Sequence, residues 1–242
     1  MAFGKYGKPI CDTNATEAWR VNYDTEKKDW AWKLANKMSV GKSALLEYWR
    51  STGIITDDKI LAAFEKIPRE NFILQKYKSD AYFDEPLPIG FGQTISQPTT
   101  VAIMTSALEP KAGQKILEVG AGSGYQAAIL SELVGLKGKV YTLERLKELA
   151  SFAKKNLKAY KNVTAIHADG TKGYAKAKPY DRIAVTAAAS QLPKEIFGQL
   201  KEKGIMVIPI EDHLFKITKI KGKPVMNDLG LFAFVPLIVG KL

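Results

Sequence analysis

The strongest constraint on this chain is an alternation: from Lys115 to Ile210, short β-rich runs take turns with stretches of helical spacing. Lys115–Val119, Lys139–Leu143, Val163–His167, Asp181–Thr186 and Ile205–Ile210 read as strands. Between them lie a helical pattern through Ala127, Ala128, Leu130 and Leu133, a helix from Arg145 to Tyr160, and another begun near Pro193. Repeated β-α units bury both faces of their strands as a mainly parallel sheet covered by helices on either side. The expected class is therefore α/β, a doubly wound sheet, with Phe215–Ile220 and Leu231–Ile238 as a closing antiparallel pair. Such a sheet takes its ligand beyond the carboxyl ends of the strands, near the point where strand order reverses.

Upstream, Leu45, Leu46 and Trp49 recur at helical spacing and Gly53 supplies a stop. Thr56 is placed to cap a second helix whose Ile60, Leu61, Phe64 and Ile67 share one face, and Pro68 helps to end it. Residues 69–98 carry Pro86, Pro88, Gly90, Gly92 and Pro98 with few periodic runs. A loop of that length in a compact domain is usually functional. Residues 1–42 form an extension rich in both aromatics and charges, including Trp19, Tyr23, Trp30 and Trp32. Disordered tails are poor in aromatics. The extension is thus expected to be ordered, docked on the main domain (43–242) or on another subunit, where it would build a homo-oligomer.

Composition removes several kinds of chemistry. A lone cysteine, Cys11, rules out an intrachain disulfide framework and a Cys-rich zinc site. The two histidines, His167 and His213, are far apart and in no ligand spacing, so neither a metal site nor a Cys–His dyad is expected. The 36 Lys and Arg against 25 Asp and Glu leave a charge of +11. These basic residues are scattered, with no block of like charge, so they read as solvated surface and no nucleic-acid partner is expected. Residues 1–9 show no signal-peptide core, and the apolar run Leu229–Gly240 contains Pro236 and falls short of the roughly 20 residues a bilayer needs. The expectation is a soluble, cytoplasmic chain with no membrane partner.

The first strand runs into Glu118-Val119-Gly120-Ala121-Gly122-Ser123-Gly124. Glycines there allow a tight turn and let a ligand approach the backbone. A dinucleotide fingerprint would need glycine at 125, where Tyr125 stands, and no Gly-Lys-Ser/Thr closes a phosphate loop. Two more acids follow at strand ends: Glu144, 24 residues after Gly120, and Asp169, 25 further on and followed by Gly170. Glu144 is placed to accept from ribose hydroxyls and Asp169 from an adenine amino group. One such acid could be a helix cap; three beside a GxGxG turn suit a nucleoside with a cationic tail. S-adenosylmethionine is such a molecule, and it has no pyrophosphate to seat.

Leu117–Gly124 resembles the first motif of class I S-adenosylmethionine-dependent methyltransferases. A narrower likeness lies in Pro86-Leu87-Pro88-Ile89-Gly90-Phe91-Gly92-Gln93-Thr94-Ile95-Ser96-Gln97-Pro98, which resembles the signature of the protein-L-isoaspartate O-methyltransferase family. Ile67–Glu70, Asp169-Gly170, Pro179–Asp181, Thr186–Ala189 and Val235–Leu237 extend it, so about 43–238 is covered. The resemblance implies a seven-stranded Rossmann-like methyltransferase sheet. It also implies methyl transfer from S-adenosylmethionine to the α-carboxylate of L-isoaspartyl residues in damaged proteins, the ester then closing to a succinimide. Isoaspartyl peptides and proteins would be the partners.

The resemblance gives Ser96 the central catalytic role, its hydroxyl holding one carboxylate oxygen. It places Gln93, Thr94, Ile95 and Ser96 around the cofactor with Glu118, Gly120, Gly122, Gly124, Glu144, Asp169 and Gly170. The loop 84–98 would face the substrate, with Leu87, Pro88, Ile89 and Gly90 offering backbone to an extended peptide and Thr186 and Ala187 beside it. Ser96 also stands where a helix toward Leu108 begins, so an N-cap is the plainer reading of its hydroxyl. Two rivals stay open: an RNA methyltransferase on the same fold, which suits the charge but not the acids Asp84 and Glu85 in this loop, and a binding module without turnover.

Overall fold

The computed structural model describes residues 41–240; the expectations for residues 1–37 fall outside them. Two helices open the chain, α1 (Lys42–Ser51) and α2 (Asp58–Lys66). Leu46 and Trp49 of α1 and Ile60, Leu61, Ala63 and Phe64 of α2 are buried, as their spacing requires. The cap of α2 is Asp57, one residue beyond Thr56: its carboxylate accepts from the Lys59 amide at 2.8 Å. An ionised acceptor at a helix start is stronger than a hydroxyl.

Two short 3-10 turns lead to a hairpin inside the segment read as a loop, β1 (Leu87–Gly90) against β2 (Gln93–Ile95). Phe91 and Gly92 form its turn with φ of +55° and +69°, the sense that matches strand twist. Glycine takes that conformation freely, whereas a side chain there costs about 1–2 kcal/mol. Helix α3 (Pro98–Leu108) follows. Trp49 ties it to α1, since the fully buried indole N–H donates to the Thr99 hydroxyl at 2.8 Å and the ring meets Phe64 edge-on at 5.1 Å.

The sheet then builds as β3 (Lys115–Val119), α4 (Tyr125–Val134), β4 (Lys139–Glu144), α5 (Lys147–Asn156), β5 (Val163–His167), β6 (Tyr180–Val185), α6 (Lys194–Gly198) and β7 (Leu200–Ile210). It closes with β8 (His213–Ile220) and β9 (Lys223–Leu231), in the order β5-β4-β3-β6-β7-β8-β9. The five strands β3 to β7 are parallel and β8 alone runs against them, which puts β9 back in their direction. The sheet is therefore the mainly parallel, doubly wound one expected. Period-2 alternation divides its core. Ile116, Val140, Ala184 and Val207 join the residues of α1 to α5 on one face, while Leu117, Leu143, Ile183 and Met206 pack under α6 and the 3-10 turns on the other.

One strand expectation fails. Leu231–Ile238 is not the partner of β8; Lys223–Leu231 is. The turn between them is Lys221-Gly222, both with positive φ, and the Glu202 carboxylate accepts from both amides at 2.6 and 3.1 Å. A two-residue turn fixes the partner as the very next residues, so the apolar tail beyond is released for another use. It crosses the sheet's upper end, where the Ala188 amide donates to Val235 O at 2.8 Å and Leu237 N to Ala188 O at 2.7 Å. Among the described residues no helix is long and apolar enough to cross a membrane.

Candidate active site

Strand order reverses between β3 and β6; both run upward and stop at the same level, β3 in Gly120 and β6 in Thr186. Gly120 has φ of +101°, and a Cβ there would lie 2.2 Å from Thr186 Oγ1. That hydroxyl donates to Gly120 O at 2.8 Å. Glycine is thus required here both by conformation and by space.

Four of the turn's amides are already committed. Those of Gly120 and Ala121 both donate to Leu143 O at 2.9 Å, Gly124 N donates to Ala121 O at 2.7 Å, and Gly122 N donates to Glu144 Oε2 at 2.9 Å. A phosphate cradle needs such amides free, and here the glycines commit theirs to neighbouring backbone and to Glu144. Glu144 is held from both sides, its other oxygen accepting from Leu146 N at 3.0 Å.

A cavity of about 230 Å³ opens at this point. Gly120, Ala121, Gly122 and Ser123 form its floor with Glu118 and Glu144; Val101, Met104, Leu143 and Leu149 give apolar wall. From the hairpin come Gly92, Gln93, Thr94, Ile95 and Ser96, and from beyond β5 and β6 come Gly170, Thr171, Thr186 and Ala187. The carboxyl of Glu118 is fully buried and neither oxygen has a hydrogen-bond partner. Burial pushes its pKa up to about 8; the nearby Thr142 hydroxyl, which falls short of a hydrogen bond, works against this, and the charge of Glu144 adds to it. An unpartnered buried acid costs free energy that a cationic ligand would recover.

Ser96 lines the same cavity as Glu144 and Gly120, the juxtaposition its expected role demands. The plainer reading of its hydroxyl does not hold, because Gln97 occupies the cap position of α3 without a side-chain bond and Asp84 caps the helix instead, accepting from Thr99 N at 2.8 Å. Asp169 stands outside the cavity wall. Its Oδ1 accepts from the amide and hydroxyl of Thr171 at 2.9 and 2.7 Å, capping a 3-10 turn, while Gly170 beside it reaches the cavity.

Gly124 also stands outside: it starts α4, where an added Cβ would meet Leu157 at 2.9 Å. Leu87, Pro88, Ile89 and Gly90 do not line the cavity either. Leu87 and Ile89 are turned into the core and one edge of β1 is paired with β2, which leaves the other edge for an extended chain.

Sequence reasoning missed part of the wall. The tail residues Val235, Pro236, Leu237 and Ile238 line the cavity; Pro236 within the supposed strand was the signal against pairing. Tyr125 and Gln126 line it from the first turn of α4. Behind Tyr125 lies Arg69, wholly buried, its guanidinium 5.3 Å from the ring centroid and its Nε donating to Ala81 O at 2.8 Å. Desolvation brings its pKa down to about 10, with Tyr125 and Asp84 opposing, so it remains cationic and anchors the root of the hairpin.

The residues fit a nucleoside carrying a positive tail: acids, apolar wall and a glycine turn whose own amides are bonded internally. Known proteins agree. The family model described as protein-L-isoaspartate(D-aspartate) O-methyltransferase matches residues 40–241. A protein-L-isoaspartate O-methyltransferase of Ignicoccus hospitalis is 49% identical over 208 residues, 83% of this chain and 99% of that one. One from Staphylothermus marinus is 48% identical over 207 residues, 80% of this chain and 92% of its own. A Plasmodium falciparum chain assigned to the same family, solved with S-adenosyl-L-homocysteine, superposes with a TM-score of 0.73 at 30% identity, over 83% of this chain and 99% of that one.

Proposed function

The chain belongs to the protein-L-isoaspartate(D-aspartate) O-methyltransferase family, and from that premise we propose how its residues carry the family's reaction. It is an S-adenosylmethionine-dependent methyltransferase acting in protein repair on the α-carboxylate of L-isoaspartyl residues. S-adenosylmethionine supplies the electrophilic methyl group and leaves as a neutral thioether.

The acceptor carboxylate is ionised at neutral pH, so no residue need take a proton from it. The chain's own work is alignment. Glu144, at the end of β4, accepts from the ribose hydroxyls, Gly120 and Gly122 let the cofactor lie against the backbone, and Glu118 faces its positive tail. Gln93 and Thr94 flank the methionine portion. Asp169 is kept as an adenine-amino acceptor through its Oδ2, with Gly170 against the ring.

Ser96 donates its hydroxyl to one carboxylate oxygen, fixing the other toward the methyl group. Thr186 and Ala187 border the substrate, and the backbone of Leu87–Gly90 meets an extended peptide along the open edge of β1. Orientation of this kind can lower a barrier by about 7–11 kcal/mol. The tail Val235–Ile238 and the hairpin both line the cavity, placed to shield the reacting centre from water once cofactor and peptide fill it.

One observation carries the reading: Ser96 on the hairpin and Glu144 on the glycine corner line a single cavity. It favours a peptide over RNA as well. Among the described residues, Arg145 is the one basic side chain in the cavity wall, and the loop 84–98 holds acids and no Lys or Arg. Nucleic-acid sites gather positive charge at the mouth. Labelled methyl transfer to an isoaspartyl peptide should exceed transfer to its aspartyl twin by roughly a hundredfold or more. Equal labelling of the two, or labelling of RNA alone, overturns the reading.

A further inference from the structure

Phe91 sits at the tip of the β1–β2 hairpin, 61% exposed and with φ of +55°. Both properties run against its chemistry. The first position of this turn favours Asn, Asp or Gly, and an aromatic ring gains most by leaving water. Gly92 meets the same demand at no cost, so the ring is held where neither local preference nor burial rewards it. Nothing about folding the hairpin calls for it.

Its position suggests what does. The next residues, Gly92, Gln93 and Thr94, line the cavity, which puts Phe91 next to its rim along the chain. Tail residue Ile238 also lines the cavity and is 46% exposed, with Val239 beyond it 79% exposed. A non-glycine residue held at positive φ beside a cavity is the kind of backbone outlier from which a functional role is inferred. The substrate here is a polypeptide that must enter and leave the cavity on either side of its reacting residue. Its flanking side chains therefore cross this rim.

We propose that Phe91 is a specificity-determining residue whose ring packs against an apolar side chain next to the isoaspartyl residue, with Ile238 meeting the peptide from the tail. The inference rests on the methyltransferase reading above and adds a sequence preference to it. Damaged sites with large apolar neighbours are bound more tightly than sites flanked by glycine, and the difference resides in binding, since the ring touches no reacting atom.

The test uses the full chain and two isoaspartyl peptides of equal length, one flanked by Leu on both sides and one by Gly. Phe91→Asn should raise KM roughly tenfold for the Leu-flanked peptide and less than about twofold for the Gly-flanked one, with kcat held within about twofold. Phe91→Tyr should keep both values. Asn accepts the left-handed backbone better than Phe, so the melting temperature of Phe91→Asn should equal or exceed that of the parent. A KM change equal for the two peptides, a fall in kcat alone, or a lowered melting temperature overturns the proposal. Failure of the unaltered chain to methylate either peptide overturns the functional reading and this role together; equal KM values for the two peptides with the unaltered chain overturn this role alone.

Discussion

The cavity has two walls made in different ways. Its glycine corner is local: residues 118–124 and 144–146 supply floor, acids and internal hydrogen bonds, and every amide named above donates to a partner within 30 residues. The facing wall is assembled from afar, residues 92–96 of the hairpin and its exit and the tail 235–238 being separated by most of the sheet in sequence. The local wall is closed and rigid, with little room for variation. The distant wall keeps exposed side chains and an open strand edge. A cofactor that never changes suits the first, and a substrate that differs at every damaged site suits the second. Substitutions should therefore separate cofactor binding from peptide binding according to the wall they strike.

The largest effect should come from Gly120→Ala. Its Cβ would sit 2.2 Å from Thr186 Oγ1 on a backbone with φ of +101°, so the corner must move and the bonds to Leu143 O with it. S-adenosylmethionine affinity, read by calorimetry, should fall by roughly a hundredfold or more, about 3 kcal/mol. Adding Thr186→Ala removes the contact but not the backbone strain, and should restore only part of the loss. Unchanged cofactor affinity in Gly120→Ala would show that the corner is not the rigid wall described.

Glu118 tests the same wall by pH. Its pKa in the folded chain, pushed up to about 8, stands above the ordinary value of 4.5. Between those pH values the unfolded chain has lost a proton that the folded chain keeps, so this group makes stability fall as pH rises from about 4.5 to about 8 and level off above. At roughly 1.4 kcal/mol per pH unit the effect amounts to a few kcal/mol. Glu118→Gln should abolish it: thermal melts without cofactor should coincide with the parent near pH 5 and lie above it at pH 8. A cation in the cavity favours the ionised acid, so cofactor binding to the parent at pH 7 should release a proton, seen as a heat that varies with buffer ionisation enthalpy. Parallel melting curves across this range would sink the assignment of Glu118 as a protonated acid in the free protein.

What the sequence disclosed follows the same division. Lys115–Val119 and Val163–His167 are strands with the bounds their β-rich runs indicate. The first is central and almost wholly buried, so it is written in its own residues. The second, a half-buried edge strand, is betrayed by its β-branched Val163, Thr164 and Ile166. The glycine corner is equally legible, being a local turn. Legibility fails where distant groups decide. Ser96 looks like a cap until Asp84, twelve residues earlier in the chain, is seen to do that work. Asp169 reads as a ligand acceptor alone, and the structure adds a second duty, since its Oδ1 accepts from the amide and hydroxyl of Thr171. The charged first half of β7, Leu200–Gly204, gives no apolar period and joins the sheet because Leu200 pairs with Tyr180 across an irregular register. The tail was misread as a strand since its composition is apolar, although the Lys221-Gly222 turn had already fixed the partner of β8.

Ser96→Ala sharpens the comparison from the other wall, with a smaller effect than either change at the glycine corner. The residue is half-buried, lines the cavity and is spared any capping duty, so its loss should leave the fold and the melting temperature close to those of the parent. A hydrogen bond to a charged group contributes about 1.5–3 kcal/mol, which corresponds to a fall in kcat/KM of roughly ten- to a hundredfold for isoaspartyl peptides. Cofactor affinity should stay within about threefold, because the acids and glycines of the opposite wall are untouched. If the loss appeared instead in S-adenosylmethionine affinity, Ser96 would belong to the cofactor wall and the division between the two sides of the cavity would have to be redrawn. Full kcat/KM with intact affinity would remove the hydroxyl from the reaction altogether, leaving carboxylate alignment to backbone groups of the hairpin and tail.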